Sequence, residues 1–298
     1  MTRDRAMAAE QAHGAPPRRI AVTIPILTNI VRAIAGEDFQ LTTILHGTAD
    51  PHSFEPTPKD AFRVAGSELL FGIGGHFDEW AVRLFGAGSA KAKCPAVFFL
   101  NQLSESERRE YLLLSSDAED EHHHADEGFD PHIWLDPILV RELLVPRITT
   151  AFSACYGEAS EFEARAKSFS AELTTLDQAL RAQLSNLNSR KFLAIHSSWT
   201  YYCRRYGLTC IGELESSPAK RASMRRMVAL VELARSKNVE LVVADNAIDA
   251  ITANKVAAEL SGRVAVIDPL GINSLESRAS YADVLNNITT ELRTALGS

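Results

Sequence analysis

From Arg19 onward, short β-branched apolar runs alternate with longer stretches whose apolar residues recur every three or four positions. Runs at Ile20–Ile24, Gln40–Leu45, Leu69–Gly72 and Ala96–Leu100 predict four strands. Between them, Leu27–Ala35, Pro58–Ala65 and Phe77–Leu84 carry helical spacing. The second half repeats the pattern, with strands expected at Phe192–Ile195, Leu208–Ile211, Leu241–Ala244 and Val264–Ile267. Its helical stretches are Trp199–Tyr206, Ala219–Ser236 and Thr252–Ser261. Strand–helix alternation of this kind predicts parallel sheets covered by helices, an α/β architecture in two lobes.

The two halves meet in a long helical region. Pro137–Cys155 reads as a helix that Pro146 should kink or split, because proline lacks the backbone donor and its ring crowds the preceding turn. Gly157 interrupts it. Ala159–Leu187 then has no internal Gly or Pro and places Phe162, Ala166, Phe169, Leu173, Leu176 and Leu180 at steps of three and four. That predicts one linking helix of about 29 residues, roughly 43 Å long. The expected organisation is a flexible leader over 1–18, an N-terminal α/β lobe over 19–157, a linking helix over 158–188 and a C-terminal α/β lobe over 189–298.

Composition narrows the function classes. The 298 residues are 46% apolar and 23% charged, which is ordinary globular usage. With 31 Lys+Arg against 38 Asp+Glu the net charge is −7, the wrong sign for a nucleic-acid binder. No apolar run approaches the ~18 residues of a membrane-spanning helix. The N-terminal stretch has no apolar core of about 7–15 residues, so no signal peptide is visible in it. Cys94, Cys155, Cys203 and Cys210 form no CxxC pair and read as small buried residues. A Cys203–Cys210 disulfide is expected only in an oxidising compartment.

The charge is unevenly placed. Ser115–Gly128 (SSDAEDEHHHADEG) holds six acidic residues, no basic ones, and His122, His123 and His124 in a row. The rest of the chain is left with a net charge of −1. The stretch lacks any apolar residue larger than alanine and is expected to be a solvated loop. It acts either as a weak collector of cations or simply as a solubilising segment.

The other histidines fall at telling places. Asp-Pro-His occurs twice, ending at His52 and at His132, each time in a turn-rich segment. The proline stiffens the approach to each imidazole. His52 and His196 follow predicted strands, and Asp268 follows Val264–Ile267. The carboxyl ends of parallel strands are where open α/β sheets bind ligands. Three imidazoles and one carboxylate make a sensible tetrahedral set for Zn(II), and Mn(II) or Fe(II) tolerate the same donors. Taken singly, each of these residues is more often a turn cap or a packed core group than a ligand.

At these segments the chain resembles the cluster A-I metal-binding solute-binding proteins of ABC importers, the ZnuA-like or TroA-like zinc and manganese receptors. The resemblance runs from about Arg19 to the C-terminus. It rests on Gly47–Pro58, Leu69–Trp80, Asp130–Pro137, Ile195–Leu208 (IHSSWTYYCRRYGL) and Val264–Gly271 (VAVIDPLG). It implies that His52, His132 and His196 are the imidazole ligands and Asp268 the carboxylate ligand. It implies Zn(II) as the cargo with Mn(II) as runner-up, a membrane ABC permease as partner, a monomer, a periplasmic or cell-surface location, and modest hinge closure. The acidic His-rich loop lies where zinc receptors of this family carry such a loop, making His122, His123 and His124 auxiliary ligands. His76 is expected at the surface or behind the ligands, and Asp245 is a further candidate for the cleft.

Two other classes compete. A zinc hydrolase would leave the fourth coordination position to water and would need a general base, for which Glu55 is the nearest glutamate to His52 in sequence. No HExxH, GxSxG or P-loop accompanies it. An adhesin with a metal of structural role is the other, and some members resembling this chain carry that label.

Overall fold

The computed structural model describes residues 17–47, 49–88, 94–114, 128–215, 223–273 and 279–297. Strands β1 (Arg18–Val22), β2 (Phe39–Thr43), β3 (Leu69–Gly72) and β4 (Val97–Phe98) form one sheet in the order β2-β1-β3-β4. Strands β5 (Lys191–His196), β6 (Thr209–Glu215), β7 (Leu241–Ala244) and β8 (Arg263–Val266) form a second in the order β6-β5-β7-β8. Every pairing in both sheets is parallel. All eight expected strands are present, with ends shifted by a few residues, and the two lobes share one strand order.

Alternation along the strands assigns each side chain to a core. Ile20 and Val22 of β1, Leu69 and Phe71 of β3, Phe192 and Ala194 of β5, and Leu241 and Val243 of β7 all enter one large apolar cluster. The intervening Ala21 and Leu70 pack into a separate cluster on the far side of the first sheet. Leu193, Ile195, Val242 and Ala244 do the same on the far side of the second. The inner faces of both sheets thus share a continuous core, and the lobes are fused along it.

Helices α1 (Pro25–Ala35), α2 (Pro58–Val64), α3 (Trp80–Gly88) and α4 (Glu105–Tyr111) belong to the first lobe. Pro25 opens α1 at a position where its missing N–H costs nothing, and Gly36 (φ 77°) ends it. Helix α5 (Val145–Tyr156) is preceded by a single turn, Pro137–Leu139, and a π-helical segment, Val140–Leu144. The wider π turn lies immediately ahead of Pro146, so the expected split takes the form of a π-bulge.

The linking helix, α6, runs over Ala159–Gln183, 25 residues, shorter at its C-terminal end than the span expected to reach Leu187. Its buried residues include Phe162, Ala166, Phe169, Leu173, Leu176 and Leu180, the stripe read from the spacing. It packs against α1 and α5 of the first lobe and against the C-terminal helix of the second. The second lobe adds α7 (Thr200–Tyr206), α8 (Met224–Ser236), α9 (Asp249–Leu260) and α10 (Tyr281–Leu296). Helices α4 and α10 lie outside the elements expected above. Both begin with a capping box, Ser104 with Glu107 and Ser280 with Asp283.

The cysteines differ from expectation. The disulfide joins Cys94 to Cys155, while Cys203 and Cys210 are free thiols. Cys203 is buried and Cys210 partly so, and burial pushes the Cys203 thiol up to about 12, so neither is an accessible thiolate. Of the leader expected over 1–18, residues 1–16 lie outside the described residues, as does the loop bearing His122, His123 and His124, while Arg18 already belongs to β1.

Candidate metal centre

Each Asp-Pro-His triplet folds into the same turn. In the first, Asp50 Oδ1 accepts the backbone N–H of His52 at 3.1 Å, and Oδ2 accepts that of Ser53 at 3.1 Å. In the second, Asp130 Oδ1 accepts the backbone N–H of His132 at 2.9 Å. An aspartate bonding two residues ahead is the Asx-turn, and proline between the two holds its φ. The copies differ at the histidine ring. Asp130 Oδ1 also lies 2.7 Å from Nδ1 of its own histidine, so the His132 ring is fixed in orientation. Trp80 Nε1 donates to the Pro51 carbonyl at 2.9 Å and anchors the first turn to α3.

His196 ends β5, and its neighbours Ser197 and Ser198 lead into α7. Asp245 and Asp268 stand just beyond the ends of β7 and β8. Only parallel strands running the same way deliver so many groups to one edge.

The three histidines converge. His52, His132 and His196 each offer a ring nitrogen, and these atoms lie within 4.8 Å of one another. Ring centroids are 5.5 Å apart for His52–His132, 5.7 Å for His52–His196 and 6.4 Å for His132–His196. His132 is 3% exposed. His52 Nε2 is sealed from water and has no hydrogen-bond partner. A buried, unpaired imidazole nitrogen pointing toward two others suits a cation that accepts nitrogen donors.

The surroundings keep the His52 and His196 rings neutral. Burial lowers the ionisation of His52 from 6.5 to about 3, helped by the charge of His132 and opposed by Asp130. His196 falls to about 3 through burial, then through His132 and His52. Phe77 supplies part of the apolar wall, with its ring 4.7 Å from His52 and 5.8 Å from His132. The loop that carries it needs glycine at Gly74, where φ is 86° and a Cβ would meet Asn101 Oδ1 at 2.4 Å.

A cavity of about 220 Å³ opens beside the triad, lined in part by Asp50, Asp245, Asp249 and Asp268. Acidic side chains with no lysine or arginine among the described lining residues give its mouth a character that favours cations. Asp268 is in this wall, but its oxygens are not in the 4.8 Å group. Oδ1 accepts the Leu270 N–H at 3.0 Å and Oδ2 that of Asn273 at 3.2 Å, while burial raises its ionisation. Asp245, only a further candidate from sequence, also lines the cavity, and Ser198 Oγ donates to its Oδ2 at 2.9 Å. Burial raises the Asp245 carboxyl to about 8.

His76 lies away from the cavity lining, half exposed, with Nδ1 2.7 Å from Glu79 Oε1. Glu55 is exposed and does not line the cavity either. Sequence reasoning passed over Asp130, and also Asp50 and Asp249 of the cavity wall; the duplicated triplet was the signal that contained Asp50 and Asp130.

The family model described as ZnuA, zinc-uptake complex component A, periplasmic, matches residues 20–295. The chain belongs to this family. Zinc-binding lipoprotein AdcA of Streptococcus pneumoniae (strain ATCC BAA-255 / R6) is 24% identical over 258 residues, covering 84% of this chain and 50% of AdcA. The chain therefore spans about half the length of that relative. The high-affinity zinc uptake system protein ZnuA of Bacillus subtilis (strain 168) is 24% identical over 289 residues, 93% of this chain and 87% of that protein. A crystal structure of ZnuA superposes with a TM-score of 0.79 at 24% identity, over 95% of this chain and all of that one, and shares the two-lobed fold.

Proposed function

We propose that this chain is an extracytoplasmic receptor that captures Zn(II) between its lobes and delivers it to an ABC permease. The observation that carries the reading is the convergence of His52, His132 and His196 within 4.8 Å. Three imidazole donors suit zinc better than manganese, which prefers more oxygen donors. In this reading Asp268 is the fourth donor, contributed by the second lobe. The names of the relatives, zinc-binding and zinc-uptake proteins, support the same cargo. The Cys94–Cys155 disulfide supports an oxidising, extracytoplasmic setting. The shared core and the linking helix support small lobe movements, and the receptor is proposed to act as a monomer.

Elemental analysis of the purified protein and calorimetry with Zn(II) and Mn(II) test the proposal. His132→Ala is expected to weaken zinc binding substantially, and an unchanged dissociation constant would sink the site assignment. Asp268→Ala is expected to have a smaller effect, since water can replace one carboxylate oxygen. Deleting residues 117–127, with His122, His123 and His124, is expected to leave the tight site intact and remove any weaker second binding event.

The hydrolase reading gains no support from the cavity. Glu55, its candidate base, is on the surface. Zinc-loaded protein is expected to leave ester, peptide and phosphoester panels unhydrolysed.

A further inference from the structure

Helix α7 begins four residues after His196 and carries Tyr201 and Arg205 one turn apart on the same face. Both reach back to the segment that bears His132. Tyr201 is fully buried, and its hydroxyl donates to the Asp130 carbonyl at 2.9 Å while accepting the Leu113 N–H at 3.0 Å. Arg205 Nε lies 2.9 Å from each oxygen of Asp136, and Nη2 lies 2.8 Å from Oδ2. Asp136 is itself fully buried and caps the next turn, with Oδ1 accepting Ile138 N–H at 2.9 Å and Leu139 N–H at 3.2 Å. Its carboxylate is therefore pinned on both oxygens.

Asp130 and Asp136 stand two residues before and four residues after His132. The two anchors bracket the ligand segment, and both originate from one rigid helical turn. The linking helix joins the same junction, because Asp177 Oδ1 lies 3.9 Å from Arg205 Nε. Neither Tyr201 nor Arg205 lines the cavity beside the histidines.

We infer that Tyr201 and Arg205 are positioning residues that fix His132 relative to His196, with α7 as the ruler between the two lobes' donors. The inference rests on the zinc-receptor reading. Zinc holds its nitrogens at about 2.0–2.1 Å, so a small shift of one ring takes a donor out of the shell. A fork from Arg205 onto both oxygens of Asp136 resists both sliding and rotation of the segment in a way a single contact does not. Lysine at 205 keeps the charge but loses the fork.

The experiment uses the full chain with Tyr201→Phe and Arg205→Lys, alongside wild type. Zinc affinity is measured by competition with a chelator, and site geometry by the visible absorption of the Co(II)-loaded protein. The expected result is zinc affinity weaker by about 10–100-fold in each variant, the range seen when groups behind a ligand are removed. The Co(II) bands are expected to shift and change in intensity. Variants with wild-type affinity and a wild-type Co(II) spectrum overturn the inference, even if their metal-free melting temperature falls. If Arg205→Lys does not fold, Tyr201→Phe decides, since it deletes one hydroxyl. Wild-type protein that fails to bind zinc tightly would instead overturn the receptor reading and the inference with it.

Discussion

Asp130 Oδ1 sits 2.7 Å from Nδ1 of His132, with both side chains 4% exposed. Burial alone would raise the Asp130 carboxyl. The charge and hydrogen bonds of His132 outweigh it and hold the carboxyl below its ordinary value. With Nδ1–H given to the aspartate, Nε2 is the nitrogen left to face a metal. The contact sets the ring orientation that a metal requires.

Asp130→Ala removes that setting and leaves the His132 ring free to turn. Zinc affinity is expected to drop by about 10–100-fold, as with other carboxylates that stand behind a metal-bound histidine. Chelator competition measures it. Asp50→Ala offers the contrast, because Asp50 holds the backbone of its turn and has no contact with the His52 ring of the kind seen at His132. Equal losses in the two variants would show that the ring contact has no special role.

The depressed ionisation of His52 and His196 changes the pH behaviour that unperturbed histidines near 6.5 would give. In the metal-free protein both are neutral until about pH 3. Their imidazole resonances are expected to stay flat from pH 7.5 to 5 in an NMR titration, and a midpoint near 6.5 for either would refute the buried geometry. The same shifts affect stability. The unfolded chain takes up these protons near pH 6.5 while the folded chain does not, so it binds more protons between 6.5 and 3. Metal-free stability is expected to be whole above about pH 6.5 and to fall progressively as pH drops toward 3. Chemical denaturation across that window checks the sign.

How far the chain could be read in advance depends on the range of each interaction. Strands such as Leu69–Gly72 and Leu241–Ala244 were legible because buried parallel strands are continuous apolar runs. The long helix was legible from its stripe, though its last turn was not, since ends depend on local caps such as Leu184 folding back on Leu180. His52 and His132 were visible through a repeated triplet. The roles of Asp130, Tyr201 and Arg205 were not, because their partners lie in distant segments or in a ring orientation that spacing does not encode. The Cys94–Cys155 pairing likewise spans 61 residues, joining the segment ahead of β4 to the end of α5, while the nearby Cys203 and Cys210 offered the more tempting pair.

That disulfide closes a 61-residue loop. In the chain-entropy account such a loop restricts the unfolded ensemble by about 4 kcal/mol, and measured values are commonly ~2–4 kcal/mol. Cys94→Ser with Cys155→Ser is expected to lower the denaturation midpoint by a corresponding amount. Both cysteines lie outside the cavity lining, so zinc affinity is expected to be unchanged. A loss of affinity in a protein that still folds would mean that the bridge reaches the site through α5.

Metal removal separates a receptor from a protein whose metal is structural. The apolar cluster that holds the lobes together takes in residues of both sheets and α6, most of it remote from the three histidines. Trp134 Nε1 also ties the first lobe to the Pro269 carbonyl of the second at 2.9 Å, and Tyr281 donates to the Trp134 carbonyl at 2.7 Å. Chelator-treated protein is therefore expected to retain its circular dichroism and a cooperative thermal transition. Added zinc should raise that transition by mass action, about 2.7 kcal/mol of stability when free zinc is 100 times its dissociation constant. Loss of the cooperative transition on chelation would sink the receptor reading and favour a structural metal.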